Sequence, residues 1–475
     1  MKKDKTAATV RAQGSESSDK LFTFYYVPRN ERYEIGKQLR KNCPRSSHKV
    51  WEPPVNRKAA VSHVLEGDKE RIPNLIPLRH GRMARSPFTF YRGAALNMAA
   101  DLAGTPATGM YVQACGDAHL CNFGGFATPE RNVIFSINDL DETLPAPWEW
   151  DVKRLAASFV VACRNNNLSE INAREAVLEC VRSYRENMSI FSEMKTMELW
   201  HYSLGAEMML ARVKDAAIKR RGLKRLEKEK SRSIAEEIFP QIAGGAGETK
   251  FIKDQLPSIF HWEGHPPGEV TQSVKDAFAI YKESLPPGFS VLLNRYELKD
   301  AVIKVVGVGS VGTACWVTLL MTGDGDPLFI QAKEARTSVL EAFAGKSRFP
   351  NNGQRVVNGY RLIQPFSDPF LGWTVGLEGR HYFFRQLRDI KISLKVEAFG
   401  KSEMVQYADW CGQALALSHA RSGDAAMLSG YMGSSDVFDL AIADFSFAYA
   451  DQNEKDHSSI LKAIKSGRLK AEYEE

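Results

Sequence analysis

Two short polar segments early in the chain carry side chains suited to phosphoryl transfer. Residues 116–122 read GDAHLCN, and residues 137–142 read INDLDE. A carboxylate such as Asp117 can orient an attacking hydroxyl and accept its proton, while the oxygens of Asn122 and Asp139 suit Mg²⁺ on nucleotide phosphates. The pattern predicts a loop followed by a hairpin, which brings these side chains together. A plainer alternative stays open, because acids in loops often cap helices or face water.

A glycine-rich loop in the middle of the chain is a second candidate for phosphate binding. Residues 306–312 read VGVGSVG and lie between two predicted strands. A dinucleotide-binding G-x-G-x-x-G must open a helix, whereas residues 313–318 have the pattern of a strand, so a flap over phosphates fits better. The predicted phosphate-contacting residues are Gly307, Gly309, Ser310 and Gly312. A plain hairpin turn is the alternative for this loop.

Lys333 ends a third predicted strand and is the candidate cation for the α- and β-phosphates of a nucleotide. In this arrangement Glu341, on the helix predicted to follow, could pair with the lysine. Glu334 competes for that role, but adjacent residues of a strand point to opposite faces. The alternative is that Lys333 is an ordinary surface lysine.

Several reaction classes fit part of this pattern. Residues 117–119 form a D-x-H element, as in dimetal phosphoesterases, but such sites also need G-N-H and G-H-x-H elements, and neither string occurs in the chain. Phosphate transfer is the leading hypothesis. AMP transfer and nucleotide binding without transfer, as a regulator, remain open. In the leading hypothesis Asp141 is either a second metal contact or a clamp on the substrate.

The pattern of apolar residues predicts the elements that must position these candidates. Helical periodicity predicts helices over residues 93–104, 150–163, 404–419 and 437–449. Short apolar or alternating segments predict strands over residues 110–115, 132–137, 302–308, 313–321, 328–332, 356–364 and 381–387.

Changes in this pattern divide the chain into four parts. We predict a disordered tail over residues 1–20 and, over 21–288, an N-terminal wrap with a helical lobe that carries the catalytic loop. A small β-rich nucleotide-binding lobe follows over 289–398. Helices over 399–475 complete the first lobe.

Composition excludes several classes of protein. The 475 residues include 63 Lys and Arg against 57 Asp and Glu, a net charge of +6, and 44% are hydrophobic. This is ordinary globular composition, so we expect no nucleic-acid partner. No stretch approaches the roughly twenty apolar residues of a membrane helix, and residues 1–20 lack the apolar core of a secretory signal. The seven cysteines form no C-x-x-C pair, which is typical of reduced thiols in a cytoplasmic protein.

Taken together, the two candidate regions resemble the protein-kinase-like fold, most closely its aminoglycoside- and choline-kinase-type branch. The G-D-x-H-x-x-N catalytic loop of that branch is matched by Gly116, Asp117, His119 and Asn122, and its metal aspartate by Asp139. The resemblance implies a two-lobed α+β fold, ATP and Mg²⁺ as cofactors, and Asp117 and His119 as catalytic residues. It also requires a circular permutation, because the catalytic loop here precedes the glycine loop.

Further residues fit the same resemblance. The string WDVKRL at residues 150–155 is similar to the W-D-L-x-R-L helix start of that branch, which implies a structural role for Asp151. In unpermuted order the catalytic loop would lie near His419 and Asp424, but Ser429 stands where the loop needs asparagine. His419 then either ends a helix packed near the site or helps to orient the catalytic loop.

The sequence is also similar to the bacterial family called domain of unknown function 2252. The similarity is carried by RHGRM at residues 79–83, GDAHL at 116–120, NDLDET at 138–143, WEWDVKR at 148–154, HARSGD at 419–424 and YADQ at 449–452. Leu140 and Ser136 depart from the Phe and Asp typical of that family and leave the acids intact. The resemblance implies no substrate. We expect a nucleotide and a small hydroxyl-bearing acceptor as partners, with a protein acceptor left open, and no membrane.

Three arginines, Arg79, Arg82 and Arg92, lie shortly before the catalytic segment. Planar guanidinium groups suit phosphate or carboxylate ligands, so one of them could contact the acceptor. Pairing with Asp or Glu on a lobe surface is an equal alternative.

Overall fold

Helices and antiparallel sheets together form a mixed α+β fold, as the sequence predicts. The structure, a computed structural model, describes residues 26–231, 239, 243–244, 250–262, 265–305, 307–387 and 390–474. The tail predicted over residues 1–20 therefore lies outside the described residues.

The described helices range from a single turn to 29 residues. In chain order they are α1 Arg29–Gln38, α2 Ala60–Asp68, α3 Ile76–Ala84, α4 Pro87–Gly93, α5 Ala95–Leu102, α6 Trp148–Asn165, α7 Glu170–Glu193, α8 Thr196–His201, α9 Ala206–Ala211, α10 Ala216–Lys230, α11 Gln272–Ser284, α12 Pro287–Leu293, α13 Glu341–Ala344, α14 Asn352–Ile363, α15 Lys401–Ser422, α16 Ala425–Met432 and α17 Val437–Lys465. The helices predicted over 93–104, 150–163, 404–419 and 437–449 are confirmed as α5, α6, α15 and α17.

The described strands are short and pair in antiparallel order. In chain order they are β1 Tyr111–Ala114, β2 Phe123–Ala127, β3 Val133–Ile137, β4 Leu144–Pro147, β5 Ala243–Gly244, β6 Phe251–Ile252, β7 Ile259–Phe260, β8 Glu297–Lys304, β9 Cys315–Met321, β10 Pro327–Glu334, β11 Gly372–Val375, β12 His381–Gln386 and β13 Lys391–Ile392.

A tight hairpin carries the early acidic segment. Strands β2 and β3 pair from Phe123 opposite Ile137 to Ala127 opposite Val133, and the connecting turn contains Arg131 at φ +66°. Strand β13 adds to the outer edge of β2, while β1 and β4 form a separate two-stranded sheet. The loop before the hairpin and the acids after it thus emerge from the same end, as the sequence predicts.

The largest sheet has six strands in the order β11-β12-β10-β9-β8-β7. Strand β10 lies inside the sheet between β9 and β12, and its Lys333 is paired with Cys315 on one side and with Phe383 on the other. The glycine-rich loop connects β8 to β9, so it lies between two strands, as the sequence predicts. Strand β7, residues 259–260, also belongs to this sheet, although it precedes the lobe boundary predicted at 288/289.

The strand predicted over residues 356–364 is wrong, because this segment belongs to helix α14. The side chain of Asn351 caps the helix by accepting a hydrogen bond from the Gln354 amide at 3.1 Å. Val356, Tyr360 and Ile363 are buried along one face at helical spacing. The β-branched residues suggest a strand only if this cap and this spacing are ignored.

Long helices form the main core. Every residue of α6 from 148 to 163 is buried, and α7, α15 and α17 pack around it. Gly412 of α15 lets the helices approach closely, since a Cβ there would lie 2.3 Å from the Cys180 carbonyl oxygen of α7. Trp148 is fully buried and stacks on Tyr184 at a ring-centroid distance of 5.9 Å.

The expectations about membrane helices and about the cysteines can be compared with the described chain. No helix in the described ranges is long and apolar enough to cross a membrane. The seven cysteines are free thiols, and all of them except Cys121 are buried, as the sequence predicts.

Candidate functional site

A cavity of about 310 Å³ lies where the acidic segment, the glycine-rich loop and helices α2 to α5 meet. Its lining includes the following residues singled out from the sequence: Asp117, Asn122, Asp139, Asp141, Gly309, Ser310 and Glu341. His119, Gly307, Gly312 and Lys333 lie outside this lining. The structure therefore brings the two candidate regions to one cavity.

Lys333 joins the sheet to the acidic segment. Its Nζ lies 2.6 Å from Asp141 Oδ2 and 3.3 Å from Asp139 Oδ1, although these aspartates precede it by more than 190 residues. The lysine side chain is only 4% exposed. A buried ammonium needs such partners, because desolvation of an unpaired charge is costly.

Asp139 and Asp141 both contact the Lys333 ammonium, and their pKa values shift in opposite directions. Burial raises the pKa of Asp139, but the charges of Lys333 and Arg385 and the hydrogen bonds with Asp141 and Lys333 together outweigh it and hold this pKa below its usual value. Burial and then the charge of Asp139 raise the pKa of Asp141. Arg385 lies close enough to favour the charged form of Asp139, and it donates to the Asn138 carbonyl at 3.1 Å.

Asp117 is held by a buried arginine of α6. Arg154 donates to Asp117 Oδ1 through both Nε, at 2.6 Å, and Nη2. Because both bonds go to one oxygen, Oδ2 is left for another donor, and His119 Nε2 lies 3.8 Å from it. Burial lowers the pKa of His119 to about 4, so its imidazole is neutral at pH 7.

The backbone before Asp117 is fixed by Asp151 of α6. Asp151 accepts hydrogen bonds from the amides of Cys115 and Gly116 at 2.6 and 3.0 Å, and His419 Nε2 lies 3.2 Å from the same carboxylate. Gly116 has φ +82°, and a Cβ there would lie 2.5 Å from the Glu142 carbonyl oxygen. The structural role implied for Asp151 is therefore observed, and His419 helps to orient this loop.

Asn122, Asp139 and Asp141 form an oxygen-rich set that could hold a hard divalent cation. Asn122 Nδ2 donates to the Asp117 carbonyl at 2.8 Å, which leaves the side-chain oxygen as the ligating atom. Asp141 Oδ1 is buried without a hydrogen-bond donor, and the Asp141 carboxyl lies against that of Asp139. The described residues contain no cluster of three or more His, Cys, Asp or Glu side chains suited to a metal. A cation bound at this set would therefore need water or oxygens of a bound molecule to complete its ligands, as Mg²⁺ commonly does.

The glycine-rich loop is fastened to the N-terminal helices. Gly307 and Gly312 have φ +67° and +85°, the left-handed region that favours glycine. Arg82 Nη1 donates to the Gly307 carbonyl at 2.6 Å, and the Ile72 amide donates to the Gly312 carbonyl at 2.8 Å. These contacts hold the middle of the loop, residues 309–310, at the cavity.

The pairing predicted between Lys333 and Glu341 is wrong. The hydrogen bonds of Lys333 go to the two aspartates, while Glu341 lines the cavity with Oε1 buried and without a partner. Asp139 and Asp141, which follow the hairpin, occupy the hydrogen-bonding positions around the Lys333 ammonium. Glu334 lies on the opposite face of β10, as expected, and accepts from the Ala314 amide at 2.9 Å.

All three arginines singled out before the catalytic segment lie near acids, and Arg92 Nη1 is 3.7 Å from Glu397 Oε1. Arg79 bonds to Asp68 at 2.8 Å, and Arg82 bonds to Glu474 at 2.9 Å. Arg92 lines the cavity, and its Nε is buried without a hydrogen-bond partner.

Side chains of helix α14 hold the acidic segment in place by hydrogen bonds to its backbone. The sequence analysis missed this role. Arg355 donates to the carbonyls of Thr143 at 2.6 Å and Asp141 at 2.8 Å. Tyr360 Oη donates to the Asn138 carbonyl at 3.0 Å. The signal available in the sequence was the asparagine cap at 351 followed by buried positions at helical spacing.

The fold and site define a mixed α+β protein whose cavity combines an acidic hairpin with a lysine-bearing sheet. Residues 71–463 match the profile of the family described as uncharacterized protein conserved in bacteria (DUF2252), and the chain belongs to this family. Neither a curated protein nor a solved structure gave a significant match.

Proposed function

We propose that this chain is an ATP- and Mg²⁺-dependent phosphotransferase with a circularly permuted protein-kinase-like fold. The contact of Lys333 with Asp139 and Asp141 carries the proposal. In kinase-like enzymes a sheet lysine holds the α- and β-phosphates, and an aspartate across the cleft binds the metal. The chain order here, with the acids before the lysine, is why the proposal includes a permutation.

The candidate residues in and beside the cavity have defined tasks in this proposal. Lys333 and the backbone amides of residues 309–310 hold the phosphates. Asn122, Asp139 and Asp141 hold Mg²⁺, which when bound offsets the negative charge of the phosphates. Positioning and charge stabilisation then supply most of the rate enhancement.

Asp117 positions the acceptor hydroxyl and receives its proton. Arg154 fixes Oδ1, so Oδ2 accepts the proton while the acceptor oxygen bonds to the γ-phosphorus and ADP leaves. His119 is neutral and packs beside Asp117, which makes it a positioning residue. The acceptor is a hydroxyl-bearing compound, for which we propose a small molecule.

Transfer of label from ATP tests this proposal. The purified chain is incubated with Mg²⁺ and with either γ- or α-labelled ATP, with water, the chain itself and a panel of small hydroxyl-bearing compounds as acceptors. We expect γ-label to appear on one of these acceptors, with loss in Asp117→Asn and Asp139→Asn. Asp444→Asn, an exposed acid of α17, is the matched control.

Two results would contradict phosphate transfer. Movement of α-label instead of γ-label would indicate AMP transfer, and ATP binding without movement of either label would indicate a non-catalytic regulator. Full activity of Asp117→Asn would remove the role given to that aspartate.

A further inference from the structure

Three arginine side chains converge on the last turn of helix α2 at the wall of the cavity. Arg71 Nε and Arg336 Nη1 both donate to the carbonyl oxygen of Gly67, at 3.0 and 3.2 Å. Arg79 Nη2 lies 3.9 Å from the position a Cβ would take on Gly67. All four residues line the cavity that contains Asp139 and Asp141.

Carboxylates lie near all three arginines, but they leave Arg71 without an ion pair. Asp68 bonds to Arg79 at 2.8 Å but is shared with His80. Glu70 pairs with Arg336 at 3.0 Å, and its side chain is 70% exposed. Arg71 forms no ion pair with any residue that the structure describes, and its guanidinium donates to the carbonyls of Gly67 and Val311.

The pKa of Arg71 reflects the positive charges that lie near it. Burial lowers its pKa, the neighbouring charges of Arg79 and Arg336 lower it further, and the charges of Asp68 and Glu142 only partly offset this. Arg79 Nε is also buried without a hydrogen-bond partner. A guanidinium group is enriched where bidentate recognition of phosphate or carboxylate is needed.

Capping of helix α2 does not explain three cations. The carbonyls at a helix C-terminus attract positive charge, but one arginine suffices for the Gly67 carbonyl. Asp68 and Glu70 pair with Arg79 and Arg336, so Arg71 is the buried guanidinium that a bound anion would neutralise.

The cluster is also fixed relative to the acidic segment. Arg355 Nη2 donates to the carbonyl of Arg336 and to that of Asp141, at 2.8 Å each. One buried side chain therefore links the backbone of an arginine in the cluster to the backbone of a candidate metal ligand.

We propose that Arg71, Arg79 and Arg336 form a binding site for a phosphate-type oxyanion, separate from the oxygen ligands of the aspartates. The anion is either the terminal phosphates of the nucleotide or an anionic group of the acceptor. The existence of the site rests on the cluster alone, whereas the choice between these sources rests on the proposed function.

Inorganic tripolyphosphate, without nucleotide and without Mg²⁺, is the probe for this site. We expect calorimetric titration to show binding to the full chain and an affinity at least about tenfold weaker in Arg336→Gln, the loss of one charge-assisted hydrogen bond. Arg336 is chosen because its side chain is 21% exposed, whereas that of Arg79 is 4% exposed. Arg174→Gln, an exposed arginine paired with Asp444 at 3.0 Å, is the matched control.

The outcomes separate this inference from the proposed function. Absence of tripolyphosphate binding by the wild type, or equal weakening in Arg336→Gln and Arg174→Gln, would overturn the site. If the site holds, titration with Mg²⁺ and ATP assigns its anion. A weakened ATP affinity in Arg336→Gln assigns the site to the nucleotide, and an unchanged one assigns it to the acceptor. A chain that binds tripolyphosphate but transfers no phosphate would keep the site and refute the phosphotransferase.

Discussion

Replacement of Lys333 by methionine removes the one ammonium shared by two carboxylates. Methionine keeps the length and the apolar part of the side chain, so the main change is the loss of charge. Asp139 and Asp141 are then left facing each other without the cation that lies 2.6 Å from one and 3.3 Å from the other. We expect the variant to fold with reduced stability.

The exposure of the three side chains sets the size of this effect. Removing one partner of a fully buried ion pair costs about 3–5 kcal/mol, and Lys333 is 4% exposed. The carboxylates are more accessible, at 35% for Asp139 and 26% for Asp141, and exposed pairs contribute only about 0–1 kcal/mol. We therefore expect a loss of about 2 kcal/mol.

Thermal unfolding followed by circular dichroism measures this loss. With an unfolding entropy of about 2.1 cal/mol/K per residue, a loss of about 2 kcal/mol lowers Tm by about 2 °C if the whole chain unfolds together. The fall is about 4 °C if half of it does. Mg²⁺ should raise Tm more in Lys333→Met than in the wild type, because it can replace the missing positive charge.

The control is Lys299→Met on strand β8 of the same sheet. Lys299 pairs with Glu297 at 2.7 Å, but Glu297 is 73% exposed, so Tm should change by about 0–1 °C if the whole chain unfolds together. Equal stability of Lys333→Met and Lys299→Met, together with no added response to Mg²⁺, would refute the reasoning about the buried lysine.

Three further substitutions test how the fold holds the site. Arg154→Met should reduce phosphate transfer at least about tenfold while ATP affinity measured by titration stays the same; a parallel loss of affinity would contradict a pure positioning role. Gly412→Ala places a Cβ 2.3 Å from the Cys180 carbonyl oxygen and should destabilise the chain by about 1–3 kcal/mol. Gly288→Ala, with no atom within 4 Å, is its control in thermal unfolding. Asn351→Ala removes the cap of α14 and should cost about 1 kcal/mol in urea unfolding; an unchanged midpoint would contradict the capping role.

The sequence predicted the parts of the site that belong to local motifs. The loop at 116–122 and the hairpin after it follow from turn residues and alternation, and the strand ending near Lys333 follows from its apolar run. The contact between Lys333 and Asp139 does not follow from any local pattern in the sequence. It was expected from the resemblance to kinase-like folds, because that fold requires the two to share a cleft.

Other parts of the site were missed although a signal existed, or depend on tertiary contacts alone. Residues 356–364 contain two adjacent valines that also suit a strand, but the cap at Asn351 and the helical spacing of the apolar positions favour α14. Arg71 and Arg336 are single basic residues without a motif, and only the fold brings them to Gly67. Glu341 does not pair with Lys333, because Asp139 and Asp141 accept the hydrogen bonds of the ammonium.

Calorimetric titration of ATP into the wild type and Asp139→Asn, each with and without Mg²⁺, tests the central claim most directly. The account predicts that Mg²⁺ strengthens ATP binding in the wild type and that Asp139→Asn loses at least about tenfold of this affinity, the effect of one lost charged ligand. ATP binding that is equal with and without Mg²⁺ and equal in both proteins, or no ATP binding by the wild type, would contradict it.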